Sequence, residues 1–181
     1  MTDPDDPFPP IETDSLRLRC VRQGDAPATS RLMTAAVSQW LASWPVPFTM
    51  SMSVERIARA REASFGRRAA PFVAERRTDG AFLGWISVNR AADDPTRGIF
   101  AYWLGEVFHG RGYMREAGPA VLAAAFDYLD IDVIEAAAKP ENAASFAVMR
   151  RCGMVPAGDR MVFAVSRNRH EFCLVYEIKR P

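Results

Sequence analysis

The apolar positions of this 181-residue chain switch repeatedly between the alternation of strands and the wider spacing of helices. Leu16 to Val21 reads as an opening strand, after which Asp25 stands where it can cap a helix carrying Leu32, Met33, Ala36 and Val37. A second helix fits Val54 to Phe65. Between them runs Trp40 to Thr49, where Pro45 and Pro47 forbid continued helix and Trp40, Trp44 and Phe48 gather aromatic surface. Pro71 to Glu75, Phe82 to Val88 and Gly98 to Leu104 are short apolar runs joined by turns at Thr78 to Gly80 and Ala92 to Gly98, the pattern of an antiparallel meander. A helix follows from Glu116 to Leu129, with Val121, Leu122, Ala125, Phe126 and Leu129 in one stripe and Gly118 and Pro119 placed to bend its start. Asp132 to Ala138 suits a central strand, and Asn142 to Gly153 a short helix with a capping asparagine and a terminating glycine. Met154 to Val165 and His170 to Ile178 complete the order as strands. This succession predicts an α/β fold, a mixed sheet of six or seven strands with helices on both faces. One domain over residues 11–181 is expected, preceded by a flexible acidic, proline-rich tail over 1–10.

The junction between the third meander strand and the next helix carries the strongest chemical signal. Val107 to Glu116 holds Gly110 and Gly112 where a strand passes into a helix. Helix starts present unpaired N–H groups and the positive end of the helix dipole, so anionic oxygens are stabilised there with few lysines. A nucleoside-triphosphate loop would need Lys and then Ser or Thr after Gly110, where Arg111 and Gly112 stand. A dinucleotide fingerprint would need a third glycine at the position of Arg115.

The run His109-Gly110-Arg111-Gly112-Tyr113-Met114 resembles the acyl-coenzyme A loop of the GNAT N-acyltransferases. Asn142 with Ser145, and the opening strand around Ile11 to Arg19, are similar to the branch that acetylates ribosomal-protein N-termini, the RimJ/RimL-like enzymes. The resemblance implies acetyl-CoA as co-substrate and a direct attack by an amine acceptor, a peptide N-terminus or a small molecule. It implies cofactor contacts from Trp103, Leu104 and Val107 at the strand end, from His109, Gly110, Arg111, Gly112, Tyr113, Met114 and Arg115 in the loop, and from Asn142 and Ser145. Main-chain groups near Tyr102 to Gly105 would extend a ladder to the pantetheine arm, and Trp40, Trp44, Phe48 and Tyr102 would wall the acceptor. Ser145 is the candidate proton donor to the thiolate, because Met149 stands where many members carry tyrosine. Glu106 is the candidate base, with Glu116 and Glu141 its rivals in sequence. Met114 replaces a small residue and is expected to narrow the space beside the phosphates. Two other readings stay open: a longer acyl donor such as succinyl-CoA, and a non-catalytic acyl-CoA sensor.

Charge narrows the partners. Lys and Arg number 23 against 22 Asp and Glu, a formal charge of +1, so nothing draws the chain in bulk to nucleic acid or membrane, and a cofactor's phosphates must be held locally. Cys20, Cys152 and Cys173 are too widely spaced for a zinc motif and read as reduced core thiols; no metal is expected. His170 has no evident chemical partner and reads as structural. No apolar run approaches the roughly 18 residues of a membrane span, the first residues lack the basic-then-apolar pattern of a signal peptide, and a cytoplasmic location is expected. Monomer and homodimer both remain open.

Overall fold

The computed structural model describes residues 6–181. Its strands are β1 (Ile11–Glu12), β2 (Leu16–Cys20), β3 (Ala69–Arg76), β4 (Phe82–Arg90), β5 (Arg97–Leu104), β6 (Val133–Ala138), β7 (Val155–Ala164) and β8 (Arg169–Lys179). They form one eight-stranded sheet in the order β1-β2-β3-β4-β5-β6-β8-β7. The extra strand relative to the expected six or seven is β1, which pairs with β2 through Ile11 and Glu12 alone. The helices are α1 (Ala26–Leu32), α2 (Ala35–Ser38), α3 (Met50–Phe65), α4 (Tyr113–Leu129) and α5 (Ala143–Arg151).

Alternation along the strands sends neighbouring residues to opposite faces. Phe72, Ile86 and Leu104 join a core with Val121, Leu122 and Phe146 from α4 and α5. Their sequence neighbours Val73, Trp85 and Trp103 join a second core with Ile57 of α3 and the loop residues Trp44 and Phe48. Cys20 and Cys152 are buried free thiols, and burial pushes each up to about 11, which removes them as nucleophiles. Among the described residues no helix is long and apolar enough to cross a membrane.

Several expectations need correction. Of the anticipated tail, residues 1–5 lie outside the described residues, and Asp6 and Phe8 contact the body of the fold. Phe8 is 6% exposed, with its ring 4.6 Å from that of Phe72, and the Asp6 carboxylate accepts from Arg22 at 2.6 Å and Arg61 at 3.2 Å. Asp25 does not cap a long helix; its carboxylate is occupied by the Arg19 guanidinium at 2.7 and 2.9 Å and the Arg22 amide, and the helical region breaks at Met33 and Thr34. The next helix begins at Met50 rather than Val54, because the Thr49 hydroxyl accepts the Met52 amide. α4 begins at Tyr113 and runs through Gly118 and Pro119. Gly118 lets α4 pack closely on α5, since a Cβ there would lie 2.6 Å from the Cys152 Sγ at the end of α5.

What positions the site is the behaviour of β5 and β6. They pair in parallel only at Arg97–Val133, Gly98–Ile134 and Ile99–Glu135. Beyond that point β5 stays paired with β4 as far as Leu104, and β6 stays with β8 as far as Ala138, so the two strands part and a wedge opens through the sheet. Charges pin the fork: the buried Glu135 carboxylate meets Arg160 at 2.5 Å and Arg97 at 3.4 Å, and Arg97 also bonds Glu177 at 2.8 Å. On its other side β5 lies close over Gly84 of β4, where a Cβ would fall 2.2 Å from the Trp103 carbonyl oxygen.

The turn between β7 and β8 staples the aromatic loop. The Ser166 amide bonds the Ala42 carbonyl at 3.0 Å, and Arg167 bonds the Ser38 and Leu41 carbonyls at 3.1 Å each. Glu171 holds Arg167 in a two-pronged pair at 2.7 and 2.8 Å, and that hydrogen bonding, foremost, lowers its carboxyl to about 2.

Gly84→Ala should lower the melting temperature, with a destabilisation of about 1–3 kcal/mol from overpacking against backbone that cannot retreat, as read by thermal or urea unfolding. The Glu171 carboxyl is depressed by folding, so its contribution is full above its ordinary value of 4.5 and is lost as pH falls towards about 2. Melting temperatures of the parent protein should therefore drop more steeply across that window than those of Glu171→Gln.

Candidate active site

Gly110 and Gly112 adopt φ of 71° and 82°, the left-handed region that favours glycine, and a Cβ on either would meet nothing within 4 Å. The concave side of the turn is therefore open. The His109 amide bonds Glu106 and those of Arg115 and Glu116 bond Gly112, which leaves the amides from Gly110 to Met114 without an acceptor among the described residues. These lie at the start of the 17-residue α4, whose dipole adds to them. Arg111 and Arg115 are exposed beside this cradle. Two loop residues differ from expectation. The His109 ring is turned back, its Nε2 donating to the Leu104 carbonyl at 2.9 Å, so its side chain braces the loop while still bordering the cleft. Met114 is 8% exposed and packs in the α4 core while still bordering the cleft.

The cradle opens into a continuous cleft of about 1510 Å³ that passes through the β5–β6 wedge to the aromatic loop. From Phe100 onward β5 has no partner on its β6 side, and Ala136 to Ala138 have none on theirs. The open edge is shorter than expected: the Gly105 amide bonds the Leu83 carbonyl at 2.8 Å, and the Leu104 carbonyl is occupied by His109. Val107 is 64% exposed and does not border the cleft.

Asn142 caps α5, its Oδ1 accepting the Ser145 amide at 3.2 Å, and its side-chain NH2 has no acceptor among the described residues. The Ser145 hydroxyl does not bond back to its own helix. It lies 2.8 Å from the Tyr102 hydroxyl across the wedge, a pairing that sequence spacing could not disclose because the residues are 43 apart. Burial raises the Tyr102 phenol, with the Ser145 hydrogen bond opposing, to about 12, so it remains protonated at neutral pH and can donate to Ser145. Met149 is 1% exposed, packed in the α4–α5 core.

At the far end, Trp44 and Phe48 are both core and wall: 8% and 6% exposed, their rings 5.0 Å apart, and bordering the cleft. Trp40 is 41% exposed at the same rim. Tyr102, expected on this wall, instead faces Ser145 on the opposite face of β5 from Trp103.

None of the three glutamates considered as bases is placed for it. Glu106 sits in an exposed one-turn helix outside the cleft, and Glu141 is exposed outside it too. Glu116 accepts from the Ser15 amide at 2.7 Å, the Ser15 hydroxyl at 2.6 Å and the Thr13 hydroxyl; these bonds outweigh burial and keep its carboxyl low. It ties α4 to the β1–β2 turn. The acids that do border the cleft are Glu55, paired with Arg59, and Glu171, too acidic to accept a proton usefully.

Residues 15–155 match the family profile described as acetyltransferase (GNAT) domain. No curated protein sequence matches the chain. Among solved structures, the RimL ribosomal L7/L12 α-N-protein acetyltransferase in complex with coenzyme A is similar at 20% identity and a TM-score of 0.81, covering 94% of this chain and 97% of that one. Ribosomal-protein-S5-alanine acetyltransferase from Vibrio fischeri is similar at 20% identity and a TM-score of 0.80, covering 95% and 99%. Mycobacterium smegmatis RimJ in complex with CoA-disulfide is similar at 24% identity and a TM-score of 0.79, covering 94% and 85%. The matched profile, together with a glycine cradle opening into a parted parallel strand pair, makes this chain a member of the GNAT acetyltransferase family.

Proposed function

We propose that the protein transfers acetyl from acetyl-CoA to a primary amine within a ternary complex, with a peptide α-amine as the favoured acceptor. The observation that carries this is the Ser145–Tyr102 hydroxyl pair at 2.8 Å, set in the wedge between the amide cradle and the aromatic wall. Acetyl-CoA supplies the activated acetyl group and departs as a thiol. The amides from Gly110 to Met114 would bind its diphosphate, and the unpaired edges of β5 and β6 would take the amides of its pantetheine arm, each bond contributing about 1 kcal/mol. An N–H on the open edge of β5 would stabilise charge developing on the acyl oxygen.

An alkanethiolate near pKa 8.5 needs a proton as it leaves, and Ser145 would give one while Tyr102 donates to it. The same pair favours a catalyst over a passive acyl-CoA sensor, because it sets a hydroxyl able to give a proton within the wedge where the thiolate would leave. An α-amine near pKa 8 loses its proton about 250-fold more readily than a lysine near 10.4. In a cleft whose acids are already paired, that difference favours the α-amine, with water as the base.

Acetyl-CoA should raise the melting temperature, and Gly112→Glu should abolish the rise, since it puts a strained φ and a negative charge into the cradle; a parent protein that shows no shift contradicts the donor site. In thiol-release kinetics Ser145→Ala should lower kcat by about a hundredfold with little change in the acetyl-CoA KM, and Tyr102→Phe should lower it less. Unchanged kcat in Ser145→Ala would remove the serine from the chemistry.

A further inference from the structure

Most arginines of this chain are matched to carboxylates: Arg19 to Asp25 and Glu75, Arg97 to Glu135 and Glu177, Arg160 to Glu135, Arg167 to Glu171, Arg180 to Asp127 and Asp130. Two cations on the acceptor wall have no carboxylate partner among the described residues. Arg56, half-buried on α3, stacks over the Trp44 ring with its Cζ 4.1 Å from the centroid, and its Nη2 bonds only the Ser43 carbonyl at 2.5 Å. Burial, and secondarily the Arg59 charge, lower its pKa, as expected for a guanidinium with no acid beside it. Lys139, just past β6, bonds the Gln39 carbonyl at 3.0 Å and lies 5.0 Å from the Trp40 ring. The acid whose charge it feels, Glu171, is already bonded by Arg167 and Arg169. Arg59, the neighbouring cation on α3, is paired with Glu55 at 3.2 Å. On the same wall the buried Trp103 indole N–H has no acceptor among the described residues.

A wall carrying two uncompensated positive charges repels an incoming ammonium, so an acceptor without negative charge binds it poorly. The same field favours the neutral, nucleophilic form of an amine once it is bound. Both effects are reconciled if the acceptor brings its own carboxylates. The two cations stand over different tryptophans of the loop, Trp44 and Trp40, which marks two separate anion positions rather than one and suits a chain better than a single small anion. Resting on the acetyl-transfer reading above, we propose that the acceptor is an acidic peptide N-terminus: a free α-amine followed within the next few residues by Asp or Glu, whose carboxylates pair with Arg56 and Lys139.

The test uses the full chain with acetyl-CoA and peptides beginning with Ser that differ only as Asp or Asn at the second, third or fourth position. Thiol release gives kcat/KM, and quenching of tryptophan fluorescence gives peptide binding independently of turnover. The expected result is a preference for Asp over Asn of about tenfold at one or more positions, shrinking as salt is raised. Arg56→Gln and Lys139→Gln should each bring the ratio towards one at the peptide position that its own cation serves, with part of it retained in Arg56→Lys. Equal Asp and Asn peptides in the parent protein, or a preference that survives both glutamine variants, overturns the proposal. Free serine acetylated as efficiently as the Asp peptide overturns the peptide assignment. Acidic peptides that bind preferentially while no peptide releases thiol would uphold the charge assignment and refute acetyl transfer instead.

Discussion

Three backbone rungs join β5 to β6, and the cleft exists because they stop at Ile99 and Glu135. Unpaired strand edges inside a protein are costly unless water or a ligand meets their N–H and C=O groups. Here each strand is held away from the other by a second partner it does not leave. β5 follows β4 to Leu104, pressed over a glycine with no side chain to push it off, and β6 follows β8 to Ala138. The cluster of Arg97, Glu135, Arg160 and Glu177 fixes where the parting begins. The wedge is thus built into the sheet and needs no ligand to open it.

On this frame the two halves of the site are made from different materials. The side at the glycine turn is mostly main chain: the amides at the start of α4 and two bare strand edges. Such groups carry no sequence preference beyond the glycines that let the turn form. The side at the aromatic loop is made of side chains, with Trp40, Trp44 and Phe48 in a loop that the β7–β8 turn and Lys139 hold by its carbonyls. Ser145 and Tyr102 meet at the boundary, one from each side of the wedge.

The side at the glycine turn was the more legible from sequence because it is local. Gly110, Gly112 and the helix after them lie within a few residues of one another, and Asn142 declares its cap by position. The strands and helices were legible for the same reason, with errors where a side chain found a distant partner: Asp25 was claimed by Arg19 instead of capping, and Phe8 and Asp6 were held by residues far along the chain. Chemistry that depends on separated residues was hidden. Glu116 stands near the loop in sequence, but its carboxylate is occupied by the Thr13–Ser15 turn, more than a hundred residues earlier. Nothing local announces the bond from the His109 ring to the Leu104 carbonyl, or that the Arg56 face of α3 borders the cleft.

Amide hydrogen exchange with and without coenzyme A, resolved to individual residues, addresses the wedge directly. Backbone binding in a preformed opening predicts strong protection confined to Gly110 through Met114 and to the facing stretches of β5 after Ile99 and β6 after Glu135, with β7 and the β1–β2 turn unchanged. Protection that is absent from those amides, or spread evenly over the sheet, would contradict it.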